Sequence, residues 1–179
     1  VETLTRARAG GLNVMADTTP FLDGLGQMAG ILPPWLMADG PAKAAEKLRD
    51  PAVRAKVRTD CDRYWRFIHR GDWHRVRMLS SPIFPELTNK SFVEIADLWH
   101  KDPWDCYFDI LSAYGEDMLT INHIGLLFTP EHSAAMVRQP LFILAVDGFS
   151  SVVDEKFKNP FAHPINYAGI LHYLTYHVR

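Results

Sequence analysis

The sequence predicts an α/β fold, and three observations support this prediction. A short apolar run, Leu141 to Val146, ends in Asp147 and Gly148 and is typical of a parallel strand buried on both faces. Near the beginning, a helical pattern closes at two glycines and is followed by a strand-like run, Leu12 to Asp17. Between these runs, helical patterns with N-terminal capping residues dominate. This succession of helices and strands is characteristic of α/β proteins.

Two carboxylates are expected at the ends of predicted parallel strands. Asp147 ends the apolar run and precedes Gly148, and Asp17 ends the run near the beginning of the chain. Loops at the carboxyl ends of such strands carry ligand-binding and catalytic groups in α/β proteins. Each residue also has a structural interpretation, because Asp147 can cap a turn through Gly148 and the sequence from Asp17 to Pro20 suits a turn.

The stretch from Pro41 to Ile68 has a helical and strongly charged pattern. It breaks at Asp50 and Pro51, which are typical of an N-cap and the first position of a new helix. The basic residues alternate with acidic and apolar ones, which favours a solvated helix face over a nucleic-acid site; they are Arg49, Arg54, Lys56, Arg58, Arg63 and Arg66. On a later helix, Asp105 and Asp109 are likewise expected on the solvent side.

Three further helix starts are indicated by capping residues. Ser91 and Glu94 have the spacing of a capping box. Asp102 and Thr129 each precede a proline, which suits the first position of a helix. Helices are therefore expected to begin after each of these three capping residues.

Several histidines are placed where they could contact a ligand. Met118 to His123 has the pattern of a strand, and His123 at its end either contacts substrate or is a hydrogen-bonded structural residue. His172 and His177 lie in a helical pattern that runs from Asn166 to the end, and their spacing of five predicts that they diverge around an α-helix. No two histidines have the spacing of two or four residues that metal pairs on strands and helices use.

His163 lies in a loop that proline restricts on both sides. Pro160 and Pro164 flank it, and the loop follows the strand that ends at Asp147. We therefore expect His163 to line the same pocket as Asp147. A structural role, in which its ring bonds a backbone carbonyl, is the alternative.

Two groups of residues resemble the N-acyl-D-amino-acid deacylases (D-aminoacylases) of the amidohydrolase superfamily. That family has a Ser-Asp-Gly strand end followed by a His-Pro-Arg-x-Tyr-Gly segment. Here Asp147-Gly148 and then His163-Pro164, with Tyr167 and Gly169, are similar, while Val146 replaces the serine and Ile165 replaces the arginine. Upstream, Asp17-Thr18-Thr19-Pro20-Phe21 and Leu32-Pro33-Pro34-Trp35 resemble the family's Asp-x-Tyr-Pro-Tyr and Leu-Pro-Pro-Trp.

The resemblance implies a zinc-dependent enzyme that hydrolyses the amide bond of N-acyl-D-amino acids. It assigns to Asp147 the carboxylate that shuttles a proton. Contacts of His163, Asp17 and His123 with the substrate are expected from their positions in the predicted loop and at the predicted strand ends. The zinc ligands of the superfamily lie mainly on strands that precede the matched stretch, and Thr19 stands where some relatives have a metal-binding histidine. Zinc is thus expected in the full-length enzyme, and none held by this segment alone.

Length limits how much of such an enzyme the chain can contain. A complete (β/α)8 barrel has about 250 residues, whereas this chain has 179. The expected architecture is therefore a partial, C-terminal segment of a TIM-like barrel with a helical insertion. Residues 1–40 would form a barrel strand and pocket loop, residues 41–115 a helical insertion or lid, and residues 116–179 the last barrel strands and helices.

Composition excludes some partners and leaves two functions open. The net charge of −2 and the absence of a long apolar run predict neither nucleic-acid nor membrane binding, and a cytoplasmic protein with buried, reduced Cys61 and Cys106 is expected. One function is amide hydrolysis on a small-molecule substrate. The other is a catalytically inert partial barrel that serves as a folding or oligomerisation unit, because exposed strand edges favour self-association.

Overall fold

The computed structural model describes residues 1–61, 68, 70–148 and 165–178, and in these residues the chain is a mixed α/β protein, as predicted. Its helices are α1 (Glu2–Ala9), α2 (Pro34–Met37), α3 (Pro41–Lys47), α4 (Pro51–Asp60), α5 (Phe92–Trp99), α6 (Pro103–Tyr114), α7 (Pro130–Val137) and α8 (Ile165–His172). Its strands are β1 (Ala16–Thr18), β2 (Asp23–Gln27), β3 (Val76–Met78), β4 (Asn122–Leu126) and β5 (Phe142–Leu144). They form sheets of two and three strands, and within these residues no sheet closes into a barrel.

The chain divides into two compact units. The first comprises Val1–Gly24 and Leu126–Arg179, and the second comprises Leu25–Gly125. The second unit is thus a continuous stretch that is inserted between two parts of the first. Each unit has its own sheet, since β1 pairs with β5 and the order of the other three strands is β2-β4-β3.

Most buried apolar side chains lie in the second unit. Helix α6 buries residues at spacings of three and four, which is the pattern of one helix face; they are Cys106, Tyr107, Ile110, Leu111 and Tyr114. Phe92 and Ile95 on α5 are fully buried as well. Full burial of a side chain of this size stabilises the fold by about 1.5–3 kcal/mol. Both cysteines are buried and free, as predicted.

The capping residues begin the helices that the sequence predicts. The Asp50 carboxylate accepts a hydrogen bond from the Ala52 amide at 2.8 Å, and the Asp102 carboxylate accepts one from the Trp104 amide at 2.9 Å. Ser91 forms the complete capping box with Glu94, and the Thr129 hydroxyl accepts from the His132 amide at 3.2 Å. Each cap satisfies a backbone N–H that has no partner within its own helix, which is why local sequence predicts these boundaries well.

The strand predicted over Met118 to His123 is wrong in position. Gly115–Thr120 is a 3-10 helix, in which the Thr120 hydroxyl donates to the Asp117 carbonyl at 2.8 Å. The strand β4 begins only at Asn122 and pairs antiparallel with β3, with His123 opposite Met78. His123 therefore lies near the beginning of its strand and not at its end. Most of the predicted strand belongs to the 3-10 helix, in which only Met118 is buried.

The strand predicted to be buried on both faces is shorter and more exposed. It extends over Phe142–Leu144 only, and Ile143 is 53% exposed. Alternation along a strand places Phe142 and Leu144 on the other face, and the neighbouring helix α7 contacts β5. An apolar run thus predicts that a strand forms, but it does not predict which side chains of the strand are buried. Burial depends on elements from elsewhere in the chain that pack against the strand.

Charged residues that were expected in solvent instead connect α4 and α6. The Arg54 guanidinium, whose side chain is only 16% exposed, donates to Asp105 at 3.0 Å and also bonds Asp109. Lys101 donates to the second oxygen of Asp109 at 2.6 Å. Burial alone would raise the pKa of Asp109, but the hydrogen bonds from Lys101 and Arg54 outweigh it and lower that pKa. These charges therefore stabilise the packing of two helices.

Candidate functional site

The parallel pairing of β1 and β5 brings two predicted strand ends together in the first unit. Asp17 lies opposite Ile143 in the register of the two strands. The Ala16 amide donates to the Leu141 carbonyl at 3.0 Å, and the Ala145 amide donates to the Thr18 carbonyl at 3.0 Å. Because the strands are parallel, their carboxyl ends reach the same edge of the sheet.

Asp17 and Asp147 are both exposed at or near that edge. Asp17 is the middle residue of β1, and Asp147 lies in the loop that follows β5. Among the residues that the structure describes, neither carboxylate has a hydrogen-bond or ion-pair partner. Both groups can therefore reach solvent and accept a proton or bind a polar ligand.

The segment after β1 is held by bonds that do not use the Asp17 carboxylate. The Phe21 amide donates to the Thr19 hydroxyl at 3.4 Å, which closes a turn. Thr18 is nearly buried, and its hydroxyl contacts the Met136 sulfur at 3.8 Å. The Thr19 hydroxyl thus closes the turn and the Thr18 hydroxyl contacts Met136, while the carboxylate of Asp17 remains at the surface.

The last helix places two histidines close together, which contradicts the prediction that they diverge. Helix α8 continues into a π-helical turn, Tyr173–His177. The ring centres of His172 and His177 are 6.2 Å apart and the rings are nearly perpendicular, at 83°. In a π-helix, hydrogen bonds join residues five apart, so that residues at this spacing lie on the same side. Spacing alone cannot distinguish this turn from an α-helix.

Both histidines contact the segment after β1. His177 Nε2 lies 3.1 Å from the Pro20 carbonyl oxygen, and the His172 ring stacks on Phe21 with centres 4.3 Å apart. The His172 ring also stacks with Tyr176, with centres 5.2 Å apart. This aromatic cluster was not predicted, although the density of His and Tyr residues from position 172 to 177 indicates that rings lie close together there.

His123 lies in the core of the second unit. It is fully buried, and its Nδ1 lies 3.4 Å from the hydroxyl of Tyr107, which also donates to the Met28 carbonyl at 2.8 Å. Burial lowers the pKa of His123 to about 3, so that the ring is neutral at physiological pH. The predicted contact of His123 with substrate stays a prediction. His163 lies outside the described residues, and its place in a pocket also stays a prediction.

A polar groove lies between α4 and α6 in the second unit. Its volume is about 610 Å³, and its charged lining consists of Arg49, Arg54, Arg58, Lys101, Asp102, Asp105 and Asp109. Most of these charges bond one another, as when Arg58 donates to Asp102 at 2.8 Å. The spacing of four between Arg54 and Arg58, and between Asp105 and Asp109, is the sequence signal for such facing charged helices.

Clusters of potential metal ligands are absent from the part of the chain that the structure describes. No group of three or more His, Cys, Asp or Glu residues there could hold a metal ion. Thr19, at the position of a histidine in the resembling family, supplies no imidazole, and burial raises the pKa of the Cys106 thiol to about 11. The described residues therefore do not provide the ligand set of a zinc enzyme.

Comparison with known proteins gives one distant likeness. The chain matches no protein-family profile and no curated protein sequence. Among solved structures it is similar to the N-acyl-D-glutamate deacylase of Bordetella bronchiseptica in complex with zinc and a phosphonate inhibitor. The identity is 16% and the TM-score 0.44, over 82% of this chain and 22% of that chain.

Among the helices that the structure describes, none is long and apolar enough to cross a membrane.

Proposed function

We propose that the chain is part of a metal-dependent amidohydrolase that cleaves the amide bond of N-acyl-D-amino acids or related amides. The observation that supports this proposal is the parallel pairing of β1 with β5, through which Asp17 and the loop of Asp147 share one sheet edge. The sequences around both residues resemble those of N-acyl-D-amino-acid deacylases. In this proposal the two strands are part of a TIM-like barrel.

Asp147 is the proposed proton carrier. Amide hydrolysis requires a base that removes a proton from the attacking water and an acid that delivers one to the leaving amine. One carboxylate can perform both steps if it is accessible and not engaged in an ion pair. Asp147 is exposed and, within the described residues, unpaired. Asp17 and His163 are proposed to bind the substrate, and the arginine of the family motif is replaced here by Ile165.

The metal of this enzyme requires ligands from outside the described residues. The carboxylates of Asp17 and Asp147 do not belong to any cluster of three potential ligands there. No reaction step is therefore assigned to the metal on this chain. The proposal predicts that the 179-residue chain alone hydrolyses no N-acyl amino acid, with or without added zinc.

The test is an amine-release assay on the protein expressed from its complete coding sequence. We expect hydrolysis of N-acyl-D-amino acids and little hydrolysis of their L enantiomers, together with bound zinc by metal analysis. Hydrolysis of neither enantiomer, or a preference for the L enantiomer, contradicts the proposal. The same assay on the 179-residue chain should give no product.

Self-association of the chain is a second candidate function, and exposed apolar side chains favour it. In the first unit, Ile143 on β5 is 53% exposed, and Val146 in the loop after β5 is 40% exposed. On α8 and its π-helical turn, Ile170, Leu171 and Leu174 are 53%, 64% and 49% exposed. Surfaces of this kind are stabilised by burial against another surface. Sedimentation of the chain should reveal a dimer or larger species, and a monomer at all concentrations contradicts this candidate.

A further inference from the structure

The π-helical turn at Tyr173–His177 brings two imidazoles into metal-sharing distance. Each ring nitrogen lies about 1.1 Å from the ring centre and would bond a metal at about 2.0–2.1 Å, so that two rings on one cation have centres about 5.1 Å apart in a tetrahedral site and about 6.3 Å apart when they lie opposite each other. The observed distance between the His172 and His177 ring centres is 6.2 Å. This distance fits ligands on opposite sides of a tetragonal cation site and is too long for a tetrahedral one.

The hydrogen bond of His177 fixes which of its nitrogens is available. Its Nε2 lies 3.1 Å from the Pro20 carbonyl oxygen, which can only accept, so that Nε2 carries the proton. The lone pair of the neutral ring is therefore on Nδ1. Histidines that bind metals usually donate their other N–H to a carbonyl or carboxylate, which orients the ring and strengthens the ligand. The contact with Pro20 is a partner of this kind.

The part of the His172 ring that can bind a metal is its edge, where the two nitrogens lie. Phe21 and Tyr176 lie nearly parallel to the ring, with interplanar angles of 13° and 12°. Such stacking restrains the ring, whereas the nitrogens lie on its edge. His172 and His177 are both half-buried, so that ions can reach them from solvent. π-helical turns of this kind occur frequently at functional sites.

We propose that His172 and His177 bind one divalent transition-metal cation, with His177 Nδ1 as one ligand and water completing the coordination. Two imidazoles on opposite sides of the cation favour Cu²⁺ over Zn²⁺, which prefers tetrahedral sites, and over Mg²⁺, which prefers oxygen ligands. This site is separate from the metal of the proposed amidohydrolase, whose ligands lie outside the described residues. The two proposals can therefore fail independently, because metal binding here needs no substrate.

The test is calorimetric titration of the 179-residue chain with Cu²⁺ and with Zn²⁺ near neutral pH. Loss of an outer-shell partner alone weakens metal binding by about 10–100-fold. We therefore expect His172→Ala and His177→Ala each to weaken Cu²⁺ binding by at least about tenfold. The control is His132→Ala, at an exposed histidine on α7, which should leave the affinity unchanged. Mg²⁺ should not compete.

NMR keeps the test decisive if an alanine variant unfolds. In the unaltered chain, substoichiometric Cu²⁺ should broaden the ring signals of His172 and His177 before those of other histidines. The variant His177→Gln, which retains a hydrogen-bond donor toward Pro20 but has no imidazole, should fold and bind Cu²⁺ weakly. Equal affinity in this variant and the unaltered chain, or first broadening at other histidines, would overturn the proposal.

Discussion

The two units differ in where they keep their apolar residues. In the second unit, Leu25–Gly125, many aromatic and aliphatic side chains are fully buried, and rings such as Phe92 and Tyr107 contact each other at 5.0 Å between centres. In the first unit, Ile143 and Leu171 are more than half exposed. The first unit nevertheless carries Asp17 and Asp147, the carboxylates of the proposed site.

This difference indicates that the stability of the fold depends mainly on the second unit, whereas the proposed chemistry depends on the first. The second unit has the features of a stable core, with capped helices and a continuous apolar face on α6. The first unit has a two-stranded sheet among its described residues, and a sheet of two strands is only marginally stable by itself. Substitutions in the second unit should therefore change the free energy of unfolding, and substitutions at the carboxylates of the first unit should change activity.

The largest expected effect is that of a cavity in the second unit. Phe92 is fully buried against Trp73 and Tyr107. Phe92→Ala should lower the free energy of unfolding by about 3–5 kcal/mol, because it removes a buried ring and leaves a cavity. The matched variant in the first unit, Ile143→Ala, should change that free energy by about 0.5 kcal/mol or less, since the side chain is exposed. Urea unfolding measures both, and equal effects contradict the comparison.

The next largest effect is the loss of folding stability at acidic pH. Burial lowers the pKa of His123 to about 3 in the folded chain, whereas the ordinary value is 6.5. The unfolded chain therefore binds an extra proton as the pH falls below 6.5, and the folded state loses stability until the pH approaches 3. Between pH 6.5 and 4.5 this loss should be roughly 2–3 kcal/mol.

The variant His123→Gln tests the origin of this acid sensitivity. Glutamine does not titrate and can still hydrogen-bond the hydroxyl of Tyr107. In urea titrations at several pH values, the variant should lose about 2 kcal/mol less than the unaltered chain between pH 6.5 and 4.5. An unchanged pH dependence would show that other groups in the second unit cause it.

A smaller effect is expected for the ion pairs between α4 and α6. Arg54→Ala removes a mostly buried guanidinium that bonds both Asp105 and Asp109. We expect a loss of about 1–2 kcal/mol, between the values typical of exposed and of fully buried pairs. The control Lys43→Ala removes an exposed pair with Glu46 and should lose about 0.5 kcal/mol or less. Similar losses for both variants would contradict the structural role of Arg54.

Local sequence predicted the parts of the fold that local contacts determine. Asp50, Ser91, Asp102 and Thr129 all cap helices as expected, because each cap joins residues only two or three positions apart. The pairing of Arg54 with Asp109 joins residues that are 55 positions apart. Such a contact depends on how two helices pack, and a charge pattern on one helix does not reveal its partner.

The candidate site was predictable only in outline. Apolar runs predicted the two strands, which the structure pairs in parallel, but Asp17 lies in the middle of β1 and Asp147 lies in the loop after β5. The approach of His172 to His177 could not be predicted, because it depends on a π-helical turn that has no clear sequence signal. The exposure of Ile143 was missed because burial depends on distant elements that pack against the strand.

The most direct test of the account is the variant Asp147→Asn in the protein expressed from its complete coding sequence. Asparagine keeps the shape of the side chain but cannot carry a proton. Turnover of an N-acyl-D-amino acid should fall by at least about 100-fold, while the midpoint of thermal unfolding should change by no more than about 2 °C. The control, Asp97→Asn, changes an exposed carboxylate on α5 and should leave turnover unchanged. Full activity of the Asp147→Asn variant would contradict the account.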